Sequence, residues 1–146
     1  MTYRITRNEA WAGDIVNRPG MLARSLEALS LAGASLEFLI ARRVNEDTSR
    51  VFVSPLRNTK QKNAARDIGM VPAAGMHVMR IDGPDKPGLA AQICRAVADR
   101  GVNIRGSSAA VLGRKVVLYL AFETEAELKE AMQATRKALK PKRGSR

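Results

Sequence analysis

The sequence predicts an α+β chain built from two copies of one β-α-β-β-α unit, with the helices on one face of antiparallel sheets. Three observations predict it. The chain matches itself at an offset of 68 positions. Each copy reads as strand, helix, strand, strand, helix. A 45% hydrophobic content over 146 residues allows two small cores but not disorder. The expected boundaries are 1–73 for the first repeat, 74–140 for the second, and 141–146 for a basic disordered tail.

The offset places Asn17-Arg18-Pro19-Gly20-Met21-Leu22-Ala23 on Asp85-Lys86-Pro87-Gly88-Leu89-Ala90-Ala91. At the same spacing Asp14 meets Asp82, Gly33 meets Gly101 and Leu36 meets Ile104. A long period present only twice indicates duplicated domains, since a solenoid needs at least about three units.

In the first copy, residues 3–13 read as extended, with Trp11 and Ile15 near the end of the strand. A helix is expected from Pro19, whose fixed φ and missing N–H suit a first helical position. Leu22, Leu26 and Leu29 form its apolar stripe, and Gly33 closes it. Residues 35–43 and 50–55 read as strands joined by Asn45-Glu46-Asp47-Thr48. A weaker helix follows over 59–68, closed by Gly69, and 70–73 is short and extended. In the second copy, 76–82 is a strand and 87–100 a helix with Leu89, Ile93 and Val97 inward. Residues 102–111 and 115–122 are strands. Thr124 caps a last helix, with Glu127 completing a capping-box spacing and Leu128, Met132, Thr135 and Leu139 on its inner face.

Two such split βαβ units make the ferredoxin-like plan. The second repeat, however, lacks its own last strand and would leave a sheet edge open. Residues 3–15 are long for one strand, which averages about five or six residues. That segment, or a strand from a partner subunit, is expected to cover the edge.

Composition narrows the function classes. Lys plus Arg is 25 against 14 acids, a formal charge of +11, with five of the cations in the last ten residues. That tail reads as a solvated segment, although a basic surface also suits nucleic acid. No stretch approaches the roughly 20 apolar residues of a membrane helix. The first residues lack the apolar run of a secretion signal. One cysteine, Cys94, and one histidine, His77, provide no internal disulfide and no His-rich metal site. A cytoplasmic location without cofactor or metal is expected. Cys94 reads as a small hydrophobe on the inward helical face, His77 as a surface histidine, and Arg42-Arg43 as a solvated pair. Ser107 and Ser108 suit either a ligand-facing strand or close packing.

The two Pro-Gly loops carry the chemistry. A helix start exposes unbonded amides and the positive end of the helix dipole. A carboxylate suits the backbone of Gly20, Met21 and Leu22, or of Gly88, Leu89 and Ala90. An ammonium on the same ligand would find a charged acceptor at Asp85 and only a neutral one at Asn17. The second loop is therefore expected to prefer a zwitterion. The same residues also read as ordinary helix starts, with Asp85 serving as a cap.

In these loops, and in the Gly-Ala-Ser-Leu-Glu (33–37) and Gly-Val-Asn-Ile-Arg (101–105) segments that follow, the sequence resembles the ACT domain family. These are small regulatory modules of β-α-β-β-α-β order that bind amino acids. The second loop fits the family's Asp-x-Pro-Gly pattern; the first departs by carrying Asn17. The resemblance is to free-standing tandem ACT proteins, and implies a non-catalytic regulator that binds a small ligand, most simply an amino acid, at repeat or subunit interfaces. The implied binding residues are Asn17, Arg18, Gly20, Met21 and Leu22, with Asp85, Lys86, Gly88, Leu89 and Ala90. A homodimer or higher homo-oligomer is the expected partner state.

The alternative is a nucleic-acid-binding protein of the same fold using its basic surface. RNA-recognition sheets stack bases on strand aromatics, and the strands around 50–54 and 115–119 lack a paired aromatic pattern. An enzyme is disfavoured: no nucleophile–base pairing, phosphate-cradling glycine loop or carboxylate cluster with metal spacing is present.

Overall fold

The computed structural model describes residues 2–141. Its elements run β1 (Arg4–Val16), α1 (Met21–Leu31), β2 (Phe38–Arg43), β3 (Thr48–Ser54), α2 (Thr59–Asp67), β4 (Val71–Pro84), α3 (Leu89–Ala98), β5 (Gly106–Leu112), β6 (Lys115–Phe122) and α4 (Glu125–Leu139). No helix among the described residues is long and apolar enough to cross a membrane. From residue 142 on, the expected basic tail lies outside the described residues.

The chain divides into two compact units. One is Glu9–Ala73; the other joins the residues up to Asn8 to those from Ala74 onward. This differs from the expected division at 73/74, which assigned the first eight residues to the first repeat. The reason is packing: Tyr3 and Ile5 lie against the core of the second unit.

In the Glu9–Ala73 unit, β3 lies between β2 and β1, antiparallel to both. The register sets Trp11 opposite Val53, and Leu39 on the other side of Val53. Alternation along β3 turns Val51 and Val53 to one face, where they meet Trp11, Leu29 of α1 and Ala65 of α2. Trp11 is 2% exposed, and the Arg66 guanidinium lies over its ring at 5.1 Å. After α2 the chain crosses β1 at Gly13, where an added Cβ would stand 2.9 Å from Met70 Cγ and 3.0 Å from the Gly69 carbonyl. Only a glycine permits that crossing.

The second unit repeats the plan. Strand β6 lies between β4 and β5. Val116, Leu118, Leu120 and Phe122 face Leu89, Ile93 and Val97 of α3 and Leu128, Ala131 and Met132 of α4. The missing last strand is supplied by the first half of β1, which flanks β4. Tyr3 anchors it: its hydroxyl donates to the Pro84 carbonyl at 2.7 Å, and its ring occupies the space a Cβ on Gly83 would take. At the other end of this segment Arg7 pairs with Glu125, which His77 Nδ1 also faces at 3.5 Å. Of the two expected covers for this edge, residues 3–15 or a partner strand, the first is the one found, from within the chain.

Helix ends follow the glycines. Gly33, Gly69 and Gly101 have φ of +83°, +86° and +71°. Each is the left-handed residue of a Schellman turn, as in Ala34 N–H to the Leu29 carbonyl with Gly33 N–H to the Ser30 carbonyl. Thr124 caps α4 by accepting from Glu127 N–H at 3.1 Å, and Asn58 caps α2 through Gln61 N–H. Two expectations change. The expected strands at 70–73 and 76–82 merge into one continuous strand, β4, which begins at Val71. Cys94 is only half-buried, at the flank of the inward face that Ile93 and Val97 define.

Candidate functional site

The two Pro-Gly loops have the same backbone. Helices α1 and α3 begin at Met21 and Leu89, two residues later than expected, with Gly20 and Gly88 as N-caps. Gly20 has φ +87°, ψ −12° and Gly88 has φ +80°, ψ 3°. This left-handed conformation cannot continue a helix. With proline before it, it forms a type II turn. Met21 N–H donates to the Arg18 carbonyl at 3.4 Å, and Leu89 N–H to the Lys86 carbonyl at 3.3 Å. One of the three amides expected to face an anion in each loop therefore closes the turn instead. The neighbouring N–H groups of Gly20 and Leu22, and of Gly88 and Ala90, have no hydrogen bond among the described residues.

Each loop is tied to the neighbouring hairpin in the same way. Asn17 N–H donates to the Asp47 carbonyl at 2.8 Å, and Asp85 N–H to the Arg114 carbonyl at 2.9 Å. Beyond that bond the loops diverge. The Asn17 amide donates from Nδ2 to the Glu46 carbonyl at 3.0 Å, and its Oδ1 accepts from Ser49 Oγ at 3.4 Å. Both ends of the side chain are thus occupied with the β2–β3 turn. The Asp85 carboxylate has no hydrogen bond or ion pair among the described residues and is exposed. Lys86, Arg18, Pro19 and Pro87 are exposed as well. Leu89 is buried and belongs to the core; Met21 and Leu22 are half-buried.

A cavity of about 330 Å³ lies between the second half of α1 and the start of β2, lined by Leu26, Leu29, Leu36 and Leu39. A shallower one of about 610 Å³ separates α1 from α2, beside Leu31 and Ala64. Neither reaches the Pro-Gly loops, and no spacing in the sequence pointed to either.

Residues 77–140 match the family model for the ACT domain. That segment is similar to an ACT domain. The Asp85–Ala90 loop falls inside the matched segment, at the junction of its first strand and first helix. No curated protein matches the chain in sequence. Solved structures share its fold at low identity. A protein from Bacteroides thetaiotaomicron has a TM-score of 0.75 at 15% identity, with 92% of this chain and 89% of that one covered. The regulatory subunit of aspartate kinase from Thermus thermophilus, in its ligand-free form, has 0.68 at 17%, with 96% and 99% covered. The same subunit from Thermus flavus has 0.59 at 18%, with 96% and 98% covered. These likenesses show the ferredoxin-like α+β fold over both repeats.

Proposed function

We propose that this chain is a non-catalytic regulator that binds an amino acid at the Asp85–Ala90 loop of its ACT domain. In this reading it works in a reducing, cytoplasmic setting and couples ligand to the assembly of subunits. The observation that carries the reading is the contrast between two loops of one backbone. At the second, an unengaged carboxylate stands next to unbonded amides at a helix start. At the first, the equivalent side chain is occupied.

A ligand carboxylate would take the Gly88 and Ala90 N–H groups, where the helix dipole adds to their attraction. Gly88 leaves the approach open, since nothing lies within 4 Å of the place where a Cβ would sit. The ligand ammonium would pair with Asp85, and Lys86 adds positive charge beside the carboxylate. This deepens the expected preference of the second loop for a zwitterion and leaves the Asn17–Leu22 loop a mainly structural role. A ligand there shifts assembly only by its difference in affinity between the free and assembled states. The fold shared with regulatory subunits of aspartate kinase supports a regulatory role.

The test is a thermal-shift screen against the common amino acids, followed by calorimetry on the hit with Asp85→Ala and Asn17→Ala. A ligand at 100 times its Kd adds about 2.7 kcal/mol of stability. Asp85→Ala is expected to weaken binding at least about tenfold, the scale of one charge-assisted hydrogen bond. Asn17→Ala should leave affinity unchanged. Equal losses, or no hit among amino acids, would remove the proposal.

A further inference from the structure

One end of the second unit gathers positive charge. Strand β6 starts at Lys115, opposite Pro84, and the Arg114 carbonyl accepts from the Asp85 N–H at 2.9 Å. The β5–β6 turn therefore lies against the loop that leads through Lys86 into α3. Helices α3 and α4 run antiparallel: Arg100 pairs with Glu130, and Gln92 Nε2 donates to the Ala138 carbonyl at 3.0 Å. The end of α4, with Arg136, Lys137 and then Lys140, is thereby brought to the start of α3. Lys86, Arg114, Lys115, Arg136, Lys137 and Lys140 are exposed, and none has an ion pair among the described residues. Elsewhere in the unit Arg7, Arg80, Arg100 and Arg105 each face a carboxylate. The turn, the loop and the helix end contain a single acid, Asp85. In the first unit the same turn is acidic: the 68-residue offset puts Glu46 and Asp47 on Arg114 and Lys115.

We propose that this end of the second unit binds the phosphate backbone of double-stranded nucleic acid without reading its sequence. Cations gathered without counter-charges repel one another, and a polyanion relieves that repulsion while releasing its own condensed counterions. Two further observations choose the kind of polyanion. No aromatic side chain of this unit stands free to stack on a base: Phe122 and Tyr119 are buried and Tyr3 is half-buried. Single strands and RNA loops are held largely by such stacking, whereas a duplex can be held by its phosphates alone. An anionic bilayer or an acidic protein calls for apolar surface beside the charge. Here that surface amounts to Val111 and Leu112 at the tip of the hairpin. The inference goes beyond the ligand reading and does not depend on it, since the cations are in place whether or not Asp85 takes an ammonium.

Binding of the full chain to a short DNA duplex of mixed sequence, followed by fluorescence anisotropy over a range of salt, tests it. Phosphate contacts by these cations should give log Kd a slope of up to about 5 against log salt, about 0.9 per contact. Arg114→Ala with Lys115→Ala should lower that slope by about 2. Arg42→Ala with Arg43→Ala, which removes the same charge from the exposed end of β2, should leave it unchanged. Arg114→Lys with Lys115→Arg should keep the native slope, and a second duplex of unrelated sequence should bind alike. No binding at low salt, an equal loss in both alanine pairs, or a strong preference for one sequence would each overturn the proposal. So would tighter binding to phosphatidylserine vesicles or to polyglutamate than to the duplex at the same salt.

Discussion

The Tyr3 hydroxyl donates to the Pro84 carbonyl across 81 positions of sequence, and its ring rests on Gly83. This contact secures the segment that completes the second sheet. Tyr3→Phe should cost about 1 kcal/mol, the net worth of one hydrogen bond. Tyr3→Ala should cost about 2–3 kcal/mol, as the ring's packing is lost too. Gly83→Ala should cost about 1–3 kcal/mol by overpacking, because its Cβ would stand 2.6 Å from the ring. Urea denaturation checks all three, and an unchanged midpoint for Tyr3→Ala would show that the edge closes without it.

The two loops should respond differently in the absence of ligand. Asn17→Ala removes a side chain that ties β1 to the β2–β3 turn. It should lower stability by about 0.5–1.5 kcal/mol. Asp85→Ala touches an exposed, unengaged carboxylate and should stay within about 0.5 kcal/mol of the native chain. Thermal melts of the two variants side by side measure the contrast.

The turns need their glycines for conformation rather than for space. Nothing lies within 4 Å of a Cβ placed on Gly20 or Gly88, yet both have positive φ. Alanine at either position should cost about 1–2 kcal/mol of backbone strain, and asparagine less. If Gly88→Asn and Gly88→Ala melted together, strain would not be the cause.

Glu125 links acidity to the N-terminal segment. The hydrogen bond from Arg7 holds its carboxyl below the ordinary value, against the opposing effect of desolvation. The charges of Arg7, Lys129 and His77 add to the lowering. A lowered folded-state value means that the pair's contribution is complete above the ordinary carboxylate range and is lost as pH falls through the lowered one. Protection of the amides around Tyr3–Asn8, taken relative to their intrinsic exchange rates, should therefore fall as pH drops below the ordinary glutamate range. In Glu125→Gln that protection should be lower already at neutral pH and depend less on pH.

Much of the fold was legible because local rules and the final packing agree. Gly33, Gly69 and Gly101 mark helix ends since only glycine takes a left-handed φ freely. Ile93, Val97, Leu128 and Met132 sit at helical spacing because a helix buries one face. Other features depended on contacts far along the chain. Pro19 and Pro87 suited a first helical position, but the left-handed glycine after each made a turn and delayed the helix. The engagement of Asn17 depended on how near the β2–β3 turn came, which no spacing within its own loop encodes.

By itself the sequence determined the duplication, the order of elements, the two cores and the pair of loops, because periodicity and turn chemistry act over a few residues. Only the tertiary structure decided that β1 would be divided between two units, with Tyr3 and Ile5 completing one and Trp11 the core of the other. The physical reason is that an open strand edge is satisfied by whatever extended segment the fold brings alongside it. The same reason left Asp85 free and Asn17 occupied: hydrogen-bonding partners are settled by proximity in space.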